Sequence, residues 1–200
     1  MPDVFWLGEM SLQPGEFQDG LHELDLRSEW IQEAHQLGDL LEIPIQAAYR
    51  WPEEPAAAHR LLHFCCQALQ TGDLDVLLLA AGETSAVLAS PRAVGRWNLL
   101  PRANLSARFS YPPGSPPEDF LPALALQMAA AEIDAEAVGL ASAPSGEPFP
   151  LAPAFPAATW LKTDANLPGV LNRLCAGLEE KQAAFGLLFS PGLASVIERV

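Results

Sequence analysis

The sequence predicts an α/β fold made of two similar halves, each with a mostly parallel central sheet covered by helices. Residues 75–81 form a short aliphatic run between a turn and a glycine, which is typical of a strand buried on both faces. A helical pattern precedes that run, and the order of helix, turn and strand recurs later in the chain. We place the first half at residues 1–83 and the second at residues 84–200, packed as one compact unit.

The first half is predicted to contain two strands and two helices. The short apolar run at residues 4–7, before Gly8, predicts the first strand. Residues 28–41 and 56–70 both carry apolar side chains at helical spacing, which predicts two amphipathic helices. The second helix ends at Thr71-Gly72-Asp73, and the aliphatic strand follows it.

The second half is predicted to repeat this order, with proline-rich connections between its elements. Its predicted strands cover residues 85–89, 107–111, 138–141, 185–189 and 194–197, and its predicted helices cover residues 91–97, 119–131 and 167–182. Pro191-Gly192 indicates a hairpin between the last two strands. The prolines of residues 112–117 and 143–156 predict irregular connections.

Composition limits the classes of partner. The chain has 200 residues, of which 50% are hydrophobic and 18% charged, which is enough apolar material for a packed core. Its net charge of −14 repels phosphates, so we expect neither nucleic acid nor a membrane as a partner. No apolar run approaches the roughly 20 residues that span a bilayer, and no signal-peptide pattern opens the sequence. We therefore expect a cytoplasmic protein.

Several segments resemble a known family when their order and spacing are taken together. They are Glu42-Ile43-Pro44, Thr71-Gly72-Asp73, residues 76–83, 87–93 and 100–103, the turn Ile133-Asp134, and residues 178–181, 185–187 and 197–200. This arrangement resembles the thiolase superfamily, whose members include the acetyl-CoA acetyltransferases. The chain has about half the usual family length, and the missing part falls near Glu83 and Thr84. Family members carry there a loop domain that supplies most contacts to coenzyme A.

The resemblance implies a nucleophilic cysteine at a helix N-terminus, where the helix dipole stabilises a thiolate. That position falls on Pro55, which suits the first turn of a helix and supplies no nucleophile. Cys65 and Cys66 lie about three turns further along and are interpreted as small core residues. The Asn-Glu-Ala-Phe stretch of the family is matched weakly at residues 146–149, where the asparagine is absent.

The acid–base partners that the resemblance implies are also absent. The activating histidine would fall at residues 161–164, but no histidine follows His63. The second cysteine would fall near Ser190 or Pro191, but no cysteine follows Cys175. We therefore expect no catalytic, cofactor-binding or metal-binding residues, and no cofactor.

One further group of polar residues lies on the second predicted helix. His59, His63 and either Cys66 or Gln67 share one helix face. Two histidines four residues apart can bind zinc when further ligands complete the site. The alternative, which we adopt, is a solvated polar stripe opposite the apolar face of the helix.

We expect a catalytically inactive thiolase-like protein that acts as an interaction or structural subunit in acyl-CoA metabolism. The resemblance implies a homodimer, or a heteromer with a full-length thiolase or another acyl-CoA enzyme, because family members associate through the segment equivalent to residues 56–83. Two alternatives stay open. One is a ligand-binding module with an acyl or small-carboxylate cleft between the halves, and the other is a diverged acyltransferase that uses Cys66 or the pair His59 and His63.

Overall fold

The computed structural model describes residues 3–9, 20–24, 45–50, 55–111, 117–143, 154–162, 166–190 and 192–200. Within them lie ten strands: β1 (Phe5–Gly8), β2 (Gly20–Leu24), β3 (Ile45–Arg50), β4 (Val76–Ala81), β5 (Thr84–Ala89), β6 (Ala103–Ser110), β7 (Val138–Ala143), β8 (Thr159–Lys162), β9 (Phe185–Ser190) and β10 (Leu193–Arg199). The α-helices are α1 (Pro55–Thr71), α2 (Pro91–Trp97), α3 (Pro117–Ala130) and α4 (Leu167–Lys181). The helix predicted at 28–41 lies outside the described residues.

All ten strands form one sheet in the order β3-β2-β4-β5-β1-β6-β10-β9-β7-β8. This order is a palindrome. From one edge of the sheet, the first five strands follow the order β3-β2-β4-β5-β1. From the opposite edge, the last five follow the equivalent order β8-β7-β9-β10-β6. The two sets meet where β1 pairs with β6. The predicted α/β class is confirmed. The two sets are similar in topology, but the prediction of a central sheet in each half is wrong, because both sets belong to one continuous sheet.

The predicted parallel character of the sheet is wrong. Seven of the nine neighbouring strand pairs are antiparallel, and only the pairs of β7 with β8 and with β9 are parallel. Strand β4 is buried along its whole length although both its neighbours are antiparallel. A continuous apolar run therefore reports burial on both faces and not strand direction. The expected boundary at Glu83 lies in the turn of the β4–β5 hairpin, whereas the two topological sets divide between β5 and β6.

The predicted helices of residues 56–70, 91–97, 119–131 and 167–182 are confirmed to within two residues at each end. Strand β6 begins at Ala103 instead of the predicted residue 107. Strands β2, β3 and β8 were not predicted, because they are short and lack a clear alternation of apolar and polar side chains. None of the described helices is both long and apolar enough to cross a membrane.

The helices pack on both faces of the sheet. On one face, α1 and α4 contribute Leu62, Leu69, Leu171 and Leu174 to a buried cluster with side chains of both strand sets. On the other face, α3 contributes its buried side chains Phe120, Leu124 and Met128 to a cluster with β6, β7, β9 and β10. Truncating one such leucine to alanine costs about 2–5 kcal/mol, so these clusters dominate the stability of the fold.

Helix α4 begins on the β4–β5 hairpin. Its N-cap residue Asn166 accepts a hydrogen bond from the Gly169 N–H at 3.0 Å. The same side chain donates to the Ala81 carbonyl at 3.0 Å and accepts from the Thr84 hydroxyl at 2.7 Å. The palindromic order places the first turns of α1 in the equivalent position, on the β9–β10 hairpin, and the polar residues of α1 lie there.

Candidate functional site

The polar stripe of α1 faces the sheet, and the interpretation of it as solvated is wrong. His59 is fully buried and Cys66 is equally so. His63 is half-buried, and Gln67 alone of the four residues in that stripe is exposed. The physical reason is that the opposing strands carry hydroxyl groups, and a polar side chain can be buried where it finds a hydrogen-bond partner.

Three hydrogen bonds connect α1 to the last hairpin. The Ser195 hydroxyl lies 2.8 Å from His59 Nε2 and 2.8 Å from His63 Nε2. The Ser190 hydroxyl lies 2.9 Å from His59 Nδ1. Each hydroxyl has one proton to donate, so Ser195 donates to one imidazole and accepts from the other. The two imidazole rings meet edge to face, with centroids 4.7 Å apart.

Both histidines are neutral at neutral pH. Burial lowers the pKa of His59 well below its usual value, and the neighbouring His63 lowers it further. Burial, followed by the positive charge of Arg108, lowers the pKa of His63 to about 4. A general base works best with a pKa near the working pH, so His63 is a weak base at neutral pH. Within the described residues, both rings hydrogen-bond to serines and to no carboxylate, so the arrangement lacks the orienting acid of a catalytic triad.

Arg108 flanks this network from β6, directly opposite Ser195. Its Nη2 donates to Gln70 Oε1, which lies on the same face of α1 as the histidines. Burial raises the pKa of the Cys66 thiol to about 12, and the charge and hydrogen bond of Arg108 offset only part of that effect. The guanidinium therefore does not convert Cys66 into a thiolate.

The other two thiols are also protonated. Burial raises the pKa of Cys65 to about 11 and also raises the pKa of Cys175. All three cysteines are buried and none forms a disulfide. Because the thiolate is the nucleophilic form, these cysteines are unreactive at neutral pH. No group of three or more side chains that could bind a metal occurs in the described part of the chain, and the Ser195 hydroxyl occupies the point on which the two histidines converge.

Two of the predicted positions lie at the ends of elements that carry this network. Pro55 is the first residue of α1, one turn before His59, and Ser190 contacts that histidine at the end of β9. Leu161 lies in β8, and residues 163–165, 191 and 146–149 lie outside the described residues. The sequence interpretation missed Ser195 and Arg108, because neither belongs to a motif and their proximity to α1 depends on strand pairing.

Comparison with known proteins yields structural likenesses only. No protein-family model matches the chain, and no curated protein sequence matches it. Two similar solved structures are the acetyl-CoA acetyltransferase of Bacillus anthracis (TM-score 0.44, 16% identity) and human mitochondrial 3-ketoacyl-CoA thiolase (TM-score 0.42, 17% identity). Each alignment covers 58% of this chain and 35% of the solved chain, so the match spans about a third of those structures.

Proposed function

We propose that the chain is a non-catalytic thiolase-like protein that acts as an interaction or structural subunit. The observation that carries the proposal is the state of the cysteines. All three are buried, and burial raises the pKa of each thiol. Thiolase chemistry requires a thiolate to carry the acyl group, and this chain offers none at neutral pH.

The positions implied by the resemblance support the same conclusion. A nucleophile and the cysteine that moves the substrate proton must lie near one substrate. Helix α1 begins at Pro55, and His59 in its next turn contacts Ser190. Neither Pro55 nor Ser190 supplies a thiol. On our proposal, these positions belong to a thiolase-like framework whose reacting groups have been replaced.

The histidine–serine network does not restore an acyl-transfer route. Ser195 is fully buried within β10 and both its neighbouring imidazoles are neutral. A serine nucleophile needs access to substrate and a base that accepts its proton. The network instead joins α1 to the last two strands, which is a structural role. These observations disfavour the alternative of a diverged acyltransferase.

Incubation of the protein with acetyl-CoA and with acetoacetyl-CoA tests the proposal. We expect no turnover and no covalent acyl adduct by intact-mass spectrometry. An active thiolase assayed in parallel shows that the substrates are competent, and alkylation of the urea-unfolded chain shows that labelled cysteines are detected. An acetyl group on Cys65 or Cys66 of the folded protein would overturn the proposal.

The partner part of the proposal needs a revised interface. The segment that the resemblance places at the family interface includes β4, which is buried and paired on both edges by β2 and β5. A homodimer, or a heteromer with a full-length thiolase, would therefore use the exposed part of α1, where Phe64 lies, or another surface. Light scattering tests the homodimer, and a mass of 21.5 kDa at tens of micromolar would exclude it.

A further inference from the structure

A chain of hydrogen-bonded side chains runs from His63 on α1 to the end of β9. The Ser195 hydroxyl lies 2.8 Å from His63 Nε2 and 2.8 Å from His59 Nε2. The other ring nitrogen of His59, Nδ1, lies 2.9 Å from the Ser190 hydroxyl. His63 is half-buried, and the other three residues are fully buried. A neutral imidazole and a hydroxyl each donate and accept, so the positions of these atoms leave the direction of the bonds open.

The bonds can run in two directions, which differ in the tautomer of His59. In the first direction, Ser195 donates to His63 and accepts from the His59 Nε2–H. His59 Nδ1 then accepts from the Ser190 hydroxyl. In the second direction, His63 donates to Ser195, and Ser195 donates to His59 Nε2. His59 then carries its proton on Nδ1 and donates to Ser190.

A positive charge on His63 leaves only the second direction. A protonated imidazole donates from both nitrogens, so the Ser195 oxygen must accept from His63. Accepting from a cation strengthens the Ser195 O–H as a donor, and a second N–H aimed at the same oxygen would meet a like partial charge. Ser195 therefore donates to His59 Nε2, and the proton of His59 moves to Nδ1.

The count of protons balances without charging the buried ring. The added proton comes from solvent and stays on His63, which is the more exposed of the two imidazoles. His59 and the two serines keep one proton each, and the His59 proton changes its position from Nε2 to Nδ1. Charging a fully buried imidazole is more costly than charging a half-buried one. The change at Ser190 requires no charge on His59.

The groups packed around the two rings leave His63 as the residue that acquires the charge. On α1 the neighbouring titratable group is Cys66, whose thiol is protonated because burial raises its pKa to about 12. On β6, Arg108 acts on His63 as a fixed positive charge. Within the described residues, β9 and β10 present hydroxyls to the rings, and α4 adds apolar side chains and the buried Cys175 thiol to the same cluster. A change of charge beside Ser195 on acidification therefore comes from His63.

We propose that the charge of His63 sets the tautomer of His59 through the Ser195 hydroxyl. The two histidines are thereby a pH-sensitive switch, in which protonation on α1 fixes the direction of the hydrogen bond to Ser190 at the end of β9. The inference goes beyond the non-catalytic function and does not rest on it.

Donor-only and acceptor-only replacements of His63 test the switch at pH 8, where buried His59 is neutral. In His63→Lys the ammonium only donates, as protonated His63 does, and in His63→Glu the carboxylate only accepts. We expect His59 to carry its proton on Nδ1 in the lysine variant and on Nε2 in the glutamate variant. The ¹⁵N chemical shifts of the ring nitrogens, measured by NMR on the full chain with labelled histidine, distinguish the two tautomers.

The matched control combines each of these substitutions with Ser195→Ala, which removes the hydroxyl between the two positions. We expect His59 to take the same tautomer in both double variants. A difference that persisted would show that the charge at residue 63 acts on His59 through space, and the inference would be wrong.

The natural chain provides a second measurement, which requires neither charged variant to fold. Spectra recorded between pH 7 and pH 4.5, extrapolated to full protonation of His63, should show a neutral His59 with its proton on Nδ1. A proton on Nε2 at that endpoint would overturn the inference, and so would one shared tautomer in the lysine and glutamate variants. An acyl adduct in the acetyl-CoA assay would refute the non-catalytic function and leave these results unchanged.

Discussion

Acidification should destabilise the protein through the buried histidines before the general loss of carboxylate interactions. The unfolded chain binds a proton at His63 near pH 6.5, whereas burial and Arg108 lower the pKa of this residue to about 4 in the folded protein. The unfolded state thus holds more protons between these values, so stability is fully present above pH 6.5 and falls as the pH drops toward 4. Linkage for this one residue gives a loss of about 2 kcal/mol between pH 7 and pH 5.

Urea unfolding at pH 7, 6 and 5, followed by tryptophan fluorescence, measures this loss. The matched variant is His63→Gln, whose amide can keep the contact with Ser195 but cannot be protonated. Between pH 7 and pH 5 the natural chain should lose about 2 kcal/mol more unfolding free energy than the variant. His59 contributes to both proteins, and because burial is the larger cause of its lowered pKa and His63 the smaller, most of its contribution cancels in the comparison. Equal losses in the two proteins would refute the assignment of a lowered pKa to His63.

Three further predictions concern packing and reactivity. The three cysteines should resist iodoacetamide at pH 7 in the folded protein and react in urea, and rapid labelling of any folded-state thiol by mass would contradict their burial. Gly139→Ala should destabilise by about 1–3 kcal/mol in urea unfolding, because the added Cβ would lie 2.6 Å from the Ala183 Cβ. Gly95→Ala, in the open part of α2, is the control and should be neutral or stabilising by up to about 1 kcal/mol. Asn172→Leu should cost about 2 kcal/mol, since the Trp6 indole N–H would lose its 3.0 Å acceptor, and an unchanged unfolding midpoint would argue against that bond.

Sequence patterns predicted the elements better than their arrangement. The helices of residues 56–70 and 167–182 were found because an amphipathic stripe is a local property of the chain. The direction of β4 was predicted wrongly, because its side chains carry no information on which neighbour runs antiparallel to it. Strand pairing is set by contacts between distant residues, and a single sequence does not display them.

The candidate site shows the same limit. His59 and His63 were recognised as neighbours on one helix face, but their solvent exposure was predicted wrongly. The side chains that bury them, Ser190 and Ser195, lie more than 130 residues away. A serine in a strand has no distinctive pattern, so no local signal connected it with a histidine in α1. The absence of any cysteine after Cys175, by contrast, is a property of composition and is read from the sequence without any structure.

The separation between α1 and its hydrogen-bond partners has a consequence during synthesis. The serines that hydrogen-bond to His59 lie 131 and 136 residues later in the chain, so they are synthesised after it. At about 5–20 residues per second, a ribosome needs roughly 6–30 s to add them. During that interval, part of the apolar surface of β4 and α1 stays exposed to solvent. Exposed apolar surface favours association between nascent chains. The first 50 residues contain ten acidic and two basic side chains, so neighbouring nascent chains repel one another while the second half is still being made.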